Sequence, residues 1–319
     1  MLKEIFVSCI MCTYDEDVDL VKQAITSIVN QVQELIIVAD DPTNLKLLDF
    51  LLSEQQIYKN IKLIQNETNL GVVKSTNRAI DNLNSSAKYV AIMDADDVAK
   101  PTRIQEEVRI MEENQNFAAL SCVGDLIIES ENNKQEIRPM TLHMPKDPQV
   151  VNQLLPIRNI VSNPGAIIRA NIIKKYRYRE LDKAQDYDFW MRLIKDGQKI
   201  AITNQNLIQY RIHQNSHSHS NYYRTQLSDQ FIKEQYKKSK DFLTATSEEI
   251  VSRQTKYNSE HRLNNVSFVK KVNKAFSEFE EYKNKKNLFL MGLTALSWTP
   301  VLKYQLMLIK YFLKLKRLK

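Results

Sequence analysis

The sequence predicts an α/β protein whose core is a doubly wound, mostly parallel sheet, followed by a helical C-terminal extension. Short apolar runs rich in β-branched residues alternate with segments in which apolar residues recur at helical spacing. The segments between successive runs are long enough for the helical crossovers that parallel strands require. Beyond about residue 221 the strand-like runs stop, so we predict one domain over residues 1–225 and a helical region over residues 226–319.

The first part of the chain gives the clearest alternation. Residues 4–11 form an apolar run typical of a buried strand. Acidic residues at 15–19 then precede Val18, Val21 and Ile25 at helical spacing, as expected at the start of an amphipathic helix. The pattern repeats, with predicted strands at 35–39, 61–64 and 89–93 and predicted helices at 45–57 and 72–83. This β-α-β-α-β-α-β order is Rossmann-like.

The remaining elements of the first domain are less regular. Pro101 indicates the start of a helix, because the first helical turn needs no N–H at that position. Apolar runs predict strands at 120–129, 164–168 and 200–202, and a helix is predicted at 186–195. The stretch from about 139 to 179 gives little signal.

Polar residues collect where the predicted strands end. Thr13 and Tyr14 follow the first strand, Asp40 and Asp41 the second, Asn69 and Gly71 the third, and Asp94 to Asp97 the fourth. Ligands of open parallel sheets bind beyond the carboxyl ends of the strands. We therefore expect these side chains to surround one binding site.

The D-A-D-D sequence at 94–97 is the sharpest of these features. An apolar strand that delivers three carboxylates within four residues concentrates repelling charge, which is costly unless a cation compensates it. Carboxylate oxygens suit hard ions, so we predict Mn²⁺ or Mg²⁺ at this point, in a position to bridge a diphosphate. The alternative is an acidic N-cap for the helix that starts near Pro101.

The net charge of +7 does not indicate a nucleic-acid-binding protein once it is located. Residues 303–319 contain six basic residues and no acidic one, so the rest of the chain is nearly neutral and we predict no nucleic-acid partner. The three cysteines lack disulfide spacing and predict a reducing, cytoplasmic location. Cys9 and Cys12 lie three apart on a predicted strand and point to opposite faces, which disfavours a redox or metal pair.

Six motifs in a fixed order carry a resemblance to a known family. They are V-S-C-I-M-C-T-Y (7–14), E-L-I-I-V-A-D-D (34–41), Asn69-x-Gly71 with Asn77, D-A-D-D-x-x-x-P-x-R (94–103), Q-D-Y-D-F-W-M-R-L (185–193) and Y-R-I-H-x-x-S-x-S (210–218). Together they span about two-thirds of the chain and resemble a family 2 glycosyltransferase of the bacterial polysaccharide, capsule or lipopolysaccharide type. The resemblance implies the GT-A fold and an inverting mechanism.

The resemblance also implies roles on the donor side of the site. The implied donor- and nucleotide-binding residues are Cys12, Thr13, Tyr14, Asp40, Asn77, Arg78, Asp94 and Ala95. Tyr14 would pack on the nucleobase, and Asp40 would accept a hydrogen bond from the imide N–H of uracil. The implied metal ligands are Asp96, Asp97 and His213, although His213 could instead be an ordinary polar surface residue.

Asp186 is the implied catalytic base. In an inverting transfer a carboxylate removes the acceptor proton while that oxygen attacks the anomeric carbon opposite the departing diphosphate. Gln185 stands where the family usually has Glu, which leaves the acceptor contacts open. Ala39 and Asp41 also depart from the family pattern and leave the donor open. We interpret Asp188 and Arg192 as an i,i+4 salt bridge.

The C-terminal segment predicts contact with a membrane surface. Residues 288–302 carry no charge but fall short of the roughly 20 residues that span a bilayer. Lys303, Lys310, Lys314 and Arg317 then lie along one stripe of a predicted helix that is otherwise apolar, as in helices that lie in a membrane interface. We predict peripheral attachment through residues 288–319 to the cytoplasmic face of the membrane. A helical cap on the protein, or a contact between copies, is the alternative.

These features predict transfer of a sugar from a nucleotide-diphosphate sugar, a UDP-sugar, to a hydroxyl of a lipid-linked or polysaccharide glycan. One alternative is a catalytically silent, nucleotide-binding scaffold of a glycan-assembly complex, for which Gln185 is the only support. Another is a nucleotidyltransferase that makes the activated sugar. That reaction would favour a glycine-rich, basic phosphate-binding loop, which the sequence lacks.

Overall fold

The computed structural model describes residues 5–129, 135–139, 144–212 and 222–261. His213 and residues 288–319 lie outside these ranges. The strands are β1 Val7–Thr13, β2 Glu34–Ala39, β3 Ile61–Gln65, β4 Tyr89–Asp94, β5 Val98–Ala99, β6 Phe117–Glu129, β7 Gln135–Pro139, β8 Ala166–Arg169 and β9 Lys199–Ile212. The helices are α1 Val18–Ile28, α2 Leu45–Ile57, α3 Val72–Asp81, α4 Arg103–Glu113, α5 Pro148–Leu154, α6 Ala170–Tyr176, α7 Gln185–Lys195, α8 Tyr222–Lys238 and α9 Ser247–His261.

One mixed sheet organises the molecule, with strand order β3-β2-β1-β4-β8-β6-β9-β5 and with β7 paired to β6. Strands β3, β2, β1 and β4 are parallel, β6 and β9 run the same way, and β8, β5 and β7 run antiparallel to their neighbours. The register sets Thr13 beside Ala39 and Cys12 beside Asp94. The carboxyl ends of β1, β2 and β4 therefore meet at one edge, and the predicted mostly parallel sheet is confirmed.

Apolar layers cover both faces of this sheet. Ile10, Ile36 and Ile92 pack into a cluster with residues of α3, α6 and α7, whereas Cys9 and Met11 pack on the other face with residues of α1, α2 and α4. Successive residues of one strand thus enter different cores, which explains why the central strands read as unbroken apolar runs. The three cysteines are free thiols, and Cys9 and Cys12 face opposite layers as predicted.

Several elements were not predicted, and each has a local reason. β5 contains only two residues and β7 is exposed along its length, so neither carries a buried apolar pattern. α5 and α6 contain seven residues each, too few for a clear helical repeat. β9 runs much farther than the three-residue strand predicted, because polar residues of its second half pair with β6 and β5.

The described part of the C-terminal region is helical and packs on α7. Phe231, Ile232, Phe242 and Ile250 belong to the same apolar cluster as Trp190. None of the helices in the described residues is long and apolar enough to cross a membrane. The boundary near residue 225 stays a prediction, and α8 and α9 share a core with the helix that carries Asp186.

Candidate active site

The carboxylates of the D-A-D-D sequence converge at the end of β4. Ligand oxygens of Asp94, Asp96 and Asp97 all lie within 4.8 Å of one another. Asp94 is exposed, Asp96 is half-buried and Asp97 is fully buried. The α4 helix has Thr102 as its N-cap and receives no side-chain capping bond, so the acidic N-cap alternative is wrong. Pro101 lies one residue before that cap.

Asp97 is the most informative member of the cluster. Its Oδ1 accepts a hydrogen bond of 2.8 Å from the backbone N–H of Arg211, whereas its Oδ2 is buried without a hydrogen-bond partner among the described residues. Burial and then the charges of Asp94 and Asp96 hold the pKa of Asp97 well above its usual range. A buried carboxylate oxygen without a partner is costly, and a cation at this point would compensate it.

This donor set fits a hard divalent cation. Carboxylate oxygens are the ligands that Mg²⁺ and Mn²⁺ prefer, and the three groups are close enough to share one ion. Two of them, Asp96 and Asp97, are the predicted metal ligands within the described residues. The third predicted ligand, His213, lies outside them, one residue beyond the end of β9.

The charges of carboxylates from separate parts of the chain act on Asp94. Solvent reaches Asp94, yet desolvation within the crowded cleft raises its pKa to about 7, and the charges of Asp96, Glu16 and Asp186 add to that rise. Burial also raises the pKa of the Cys12 thiol to about 12, with contributions from Asp94, Asp40 and Glu16. The side chains of Glu16 and Asp186 therefore lie close enough to Asp94 for their charges to act on it, and we refer to this acidic region at the end of β4 as the cleft.

Asp40 closes the loop that follows β3. Its carboxylate accepts hydrogen bonds from the amide of Asn66 at 2.6 Å and from the backbone N–H groups of Leu70 and Gly71 at 2.8 Å each. An ionised carboxylate offers about four acceptor positions, so about one remains for a ligand. Its predicted bond to a nucleobase stays a prediction, and three acceptor positions already serve the fold.

The other predicted donor residues differ in their exposure and in the hydrogen bonds that they already make within the protein. Tyr14 is 40% exposed, whereas Thr13, at the end of β1, is buried. Asn77 exchanges two hydrogen bonds with the backbone of Tyr178, at 2.8 and 3.1 Å. Arg78 donates to the carbonyl of Gln65 and to the side chain of Asn66. Asn77 and Arg78 thus hold neighbouring loops together, and their predicted contacts with a donor stay predictions.

Asp186 lies in the first turn of α7 and is half-buried. Its Oδ2 accepts a hydrogen bond of 3.0 Å from the side-chain amide of Asn159, and burial raises its pKa. The side-chain amide of Gln185 donates to the carbonyl of Leu181 at 2.9 Å. Asp186 is therefore held by a neutral donor beside the acidic cluster, which suits a proton acceptor.

The predicted pair of Asp188 and Arg192 is confirmed as part of a buried network. Arg192 Nε donates to Asp188 Oδ2 at 2.9 Å, and Arg179 Nε donates to the same oxygen at 2.9 Å. Arg179 also reaches the carbonyls of Phe242 and Ala245 in the α8–α9 connection. The network fixes α7, and with it Asp186, against the C-terminal helices.

Sequence reasoning missed several residues of the cleft. Glu16, Asn159 and Asp229 lie beside the predicted residues, and Asp229 on α8 has a pKa raised to about 7 by burial, with a contribution from the charge of Asp186. None of these three belongs to a recognisable motif. Arg211 was visible inside the Y-R-I-H motif, but its contact with residues 95–97 between β4 and β5, the carboxylate loop, was not.

Comparison with known proteins identifies the family of the chain. The family model described as glycosyl transferase family 2 matches residues 8–177, which is more than half of the chain. The chain belongs to glycosyltransferase family 2. The match covers β1 to α6 and ends before α7, so the segment that carries Asp186 lies outside it.

Two relatives illustrate the range of this glycosyltransferase family. The uncharacterized glycosyltransferase MJ1057 of Methanocaldococcus jannaschii is 35% identical over 210 residues, which are 65% of this chain and 70% of that protein. The O-antigen biosynthesis glycosyltransferase WbnJ of Escherichia coli is 28% identical over 211 residues, which are 64% of this chain and 77% of that protein. The family 2 glycosyltransferase described here thus has relatives in bacterial polysaccharide synthesis.

A solved structure supports the fold of this glycosyltransferase. GalNAc-T7, crystallised with UDP, GalNAc and Mn²⁺, superposes with a TM-score of 0.59 at 12% identity, covering 81% of this chain and 54% of that chain. The likeness concerns the fold alone, and the fold is GT-A, as predicted.

Proposed function

We propose that the protein is an inverting, metal-dependent glycosyltransferase that moves a sugar from a UDP-sugar to an acceptor hydroxyl. The observation that carries the proposal is the cluster of Asp94, Asp96 and Asp97 together with Asp186, whose charge acts on Asp94. The cluster suits the diphosphate end of a donor, and Asp186 suits the proton of an acceptor. The UDP and GalNAc bound to GalNAc-T7 support a sugar nucleotide as the donor class.

Asp96 and Asp97 are the groups that would hold Mn²⁺ or Mg²⁺, with His213 as a further ligand. When bound, the cation supplies positive charge that neutralises the departing diphosphate. The Oδ2 of Asp97, which has no hydrogen-bond partner in the described part of the chain, supports this assignment, as does the Mn²⁺ in GalNAc-T7. Asp94 and Ala95, beside the ligands, would contact the ribose or the sugar of the donor.

Asp186 would act as the general base. Its carboxylate takes the proton of the acceptor hydroxyl. The oxygen of that hydroxyl forms a bond to the anomeric carbon of the donor sugar as the bond between this carbon and the diphosphate breaks. The hydrogen bond from Asn159 orients the carboxylate before the acceptor arrives. The exposed ring of Tyr14 is available to pack on the nucleobase.

A ligand screen tests the donor assignment. Thermal unfolding of the full chain is measured with UDP-, GDP- and TDP-sugars, each with Mn²⁺ or with EDTA. We expect a UDP-sugar with Mn²⁺ to raise Tm, because a ligand that binds only the folded state stabilises it. No shift with any nucleotide sugar, or an equal shift in EDTA, would contradict the proposal. Slow release of UDP from the bound donor separates an enzyme from a silent scaffold.

The acceptor and the location belong to the same proposal. The WbnJ relative supports a role in cell-surface polysaccharide synthesis, with a lipid-linked or polysaccharide glycan as the acceptor. The stripe of basic residues in the otherwise apolar segment 303–317 supports peripheral attachment to the cytoplasmic face of the membrane.

Flotation with vesicles tests this attachment. The full chain and a chain that ends at residue 282 are floated with vesicles that contain anionic lipid, at low and at high salt. We expect the full chain to float with the vesicles, less so at high salt, and the shortened chain to stay in the soluble fraction. Equal flotation of the two chains removes the membrane proposal and leaves the transfer reaction unaffected.

A further inference from the structure

Arg211 connects β9 to the loop that carries the carboxylates. Its backbone N–H donates to Asp97 Oδ1 at 2.8 Å, and its Nε donates to the backbone carbonyl of Asp96 at 2.8 Å. Its Nη2 reaches Oε1 of Gln23 on α1 at 3.1 Å. Arg211 therefore bonds both Asp96 and Asp97 of the cluster and also Gln23 of the α1 helix.

The strand pairing explains how Arg211 reaches this position. β5 pairs with β9 through Val98 beside Gln209 and Ala99 beside Ile208. Continuing this antiparallel register by two residues beyond Val98 and Gln209 places Arg211 opposite Asp96. The carboxylate loop is thus bound to β9, which itself pairs with β6 along most of its length.

The direction and burial of this side chain distinguish it from a ligand-binding arginine. Arg211 is only 1% exposed, and its guanidinium donates to a main-chain carbonyl of the loop. A guanidinium stays charged and presents several donors in a rigid plane, so it fixes the groups that it bonds. Groups that orient metal-binding carboxylates control how tightly the ion is held.

We infer that Arg211 is a positioning residue that holds Asp96 and Asp97 in the geometry that binds a divalent cation. The inference rests on the proposed function, because it takes this cluster to be the cation site. Without the side chain of Arg211, the carbonyl of Asp96 loses its hydrogen-bond donor. The loop can then move so that its repelling carboxylates separate. The cost would appear as weaker binding of the cation.

Cation binding is measured directly with Mn²⁺. The ion is titrated into the full chain in the presence of UDP, and the free ion is followed by its electron paramagnetic resonance signal. We expect Arg211→Met to weaken Mn²⁺ binding by about 10- to 100-fold, the usual effect of losing a group that orients metal ligands. Arg211→Lys should recover part of the loss, because an ammonium group restores one charged donor.

Arg169→Met provides the matched control. Arg169 also donates to main-chain carbonyls, those of Phe117 and Met111, but it lies at the end of β8 beside Tyr89, at the start of β4 and away from the carboxylate loop. We expect this variant to lose stability and to keep the Mn²⁺ affinity of the wild type. A loss of affinity in both variants would mean that the effect is general loosening and would overturn the inference.

A milder change guards against a variant that does not fold. Gln23 is exposed on α1, and Gln23→Ala removes only the support behind Arg211. We expect several-fold weaker Mn²⁺ binding with unchanged thermal unfolding in EDTA. Wild-type affinity in a folded Arg211→Met, or in Gln23→Ala if Arg211→Met does not fold, overturns the inference. Failure of the wild type to bind Mn²⁺ with UDP counts instead against the proposed function.

Discussion

Asp186→Asn is expected to reduce sugar transfer by orders of magnitude and to leave binding of UDP with Mn²⁺ intact. The amide matches the carboxylate in shape but does not accept the acceptor proton at neutral pH. General bases contribute about 10²- to 10⁴-fold to rates, so turnover should fall by that amount. The loss should appear in kcat, while the rise in Tm caused by UDP with Mn²⁺ stays the same, because Asp186 lies on α7 and not in the carboxylate loop.

Asp182→Asn is the control for this result. Asp182 precedes Asp186 by four residues, is exposed, and pairs with Arg224 at the surface with an Nη2–Oδ1 distance of 2.5 Å. Exposed pairs contribute roughly 0–1 kcal/mol, so this variant should fold and turn over like the wild type. Normal turnover in Asp186→Asn would remove Asp186 from the mechanism. Asp229 would then be the next carboxylate to test, since it lies beside Asp186 and is half-buried.

The sheet and its functional edge could be predicted because both follow from short-range patterns. Buried strands in a parallel sheet are apolar on both faces, and the polar residues that end them are visible as breaks in each run. The pairing of Cys12 with Asp94 and of Thr13 with Ala39 shows that these breaks do come together in space. The i,i+4 pair of Asp188 and Arg192 was predictable for the same reason, since both residues lie on one helix.

The support behind the site was not predictable, because it depends on contacts between distant parts of the chain. Arg211 bonds Asp96 and Asp97 across more than 100 residues of sequence, and no local pattern specifies that contact. Asn159 reaches Asp186 from a stretch that gave little signal. Asp229 approaches from α8, which packs on α7 through a shared apolar core. In each case tertiary packing, and not periodicity, determines the neighbour.

Contacts between distant parts of the chain also explain why the side chains of the predicted donor residues already have hydrogen-bond partners in the protein. A sequence motif identifies Asp40 and Asn77 as polar residues near a ligand but does not reveal which of their bonds the protein itself uses. Asp40 supports the loop before α3, and Asn77 joins α3 to the segment before α7. These bonds hold the loops of the candidate site in place, whatever the two residues bond in a ligand.

Asp97→Asn should have opposite effects on stability and on cation binding. In EDTA the wild type folds with a buried carboxylate whose Oδ2 has no partner among the described residues and which lies among two further carboxylates. The amide keeps an oxygen for the N–H of Arg211 and places N–H donors, close to two carboxylates, where the wild type has the oxygen without a partner. Leaving a buried polar group without a partner costs about 1–3 kcal/mol, so the variant should gain free energy of unfolding on that scale.

The same change should remove the charge that a divalent cation needs. We expect Asp97→Asn to lose the increase in Tm that UDP with Mn²⁺ gives the wild type, although its own Tm in EDTA is higher. Urea unfolding in EDTA and thermal unfolding with Mn²⁺ and UDP measure the two effects separately. Residues of a binding site commonly lower the stability of the folded protein in this way, because function requires them.

Asp125→Asn shows what a buried aspartate with an ordinary structural role should do. Asp125 is also buried, but its carboxylate accepts from the ammonium of Lys100 at 2.8 Å and from the amide of Asn206. Removing its charge leaves Lys100 without its counter-ion, so stability should fall and cation binding should stay unchanged. If Asp97→Asn behaved like Asp125→Asn, Asp97 would be a structural residue. The cluster at the end of β4 would then lack the buried ligand on which the cation site depends.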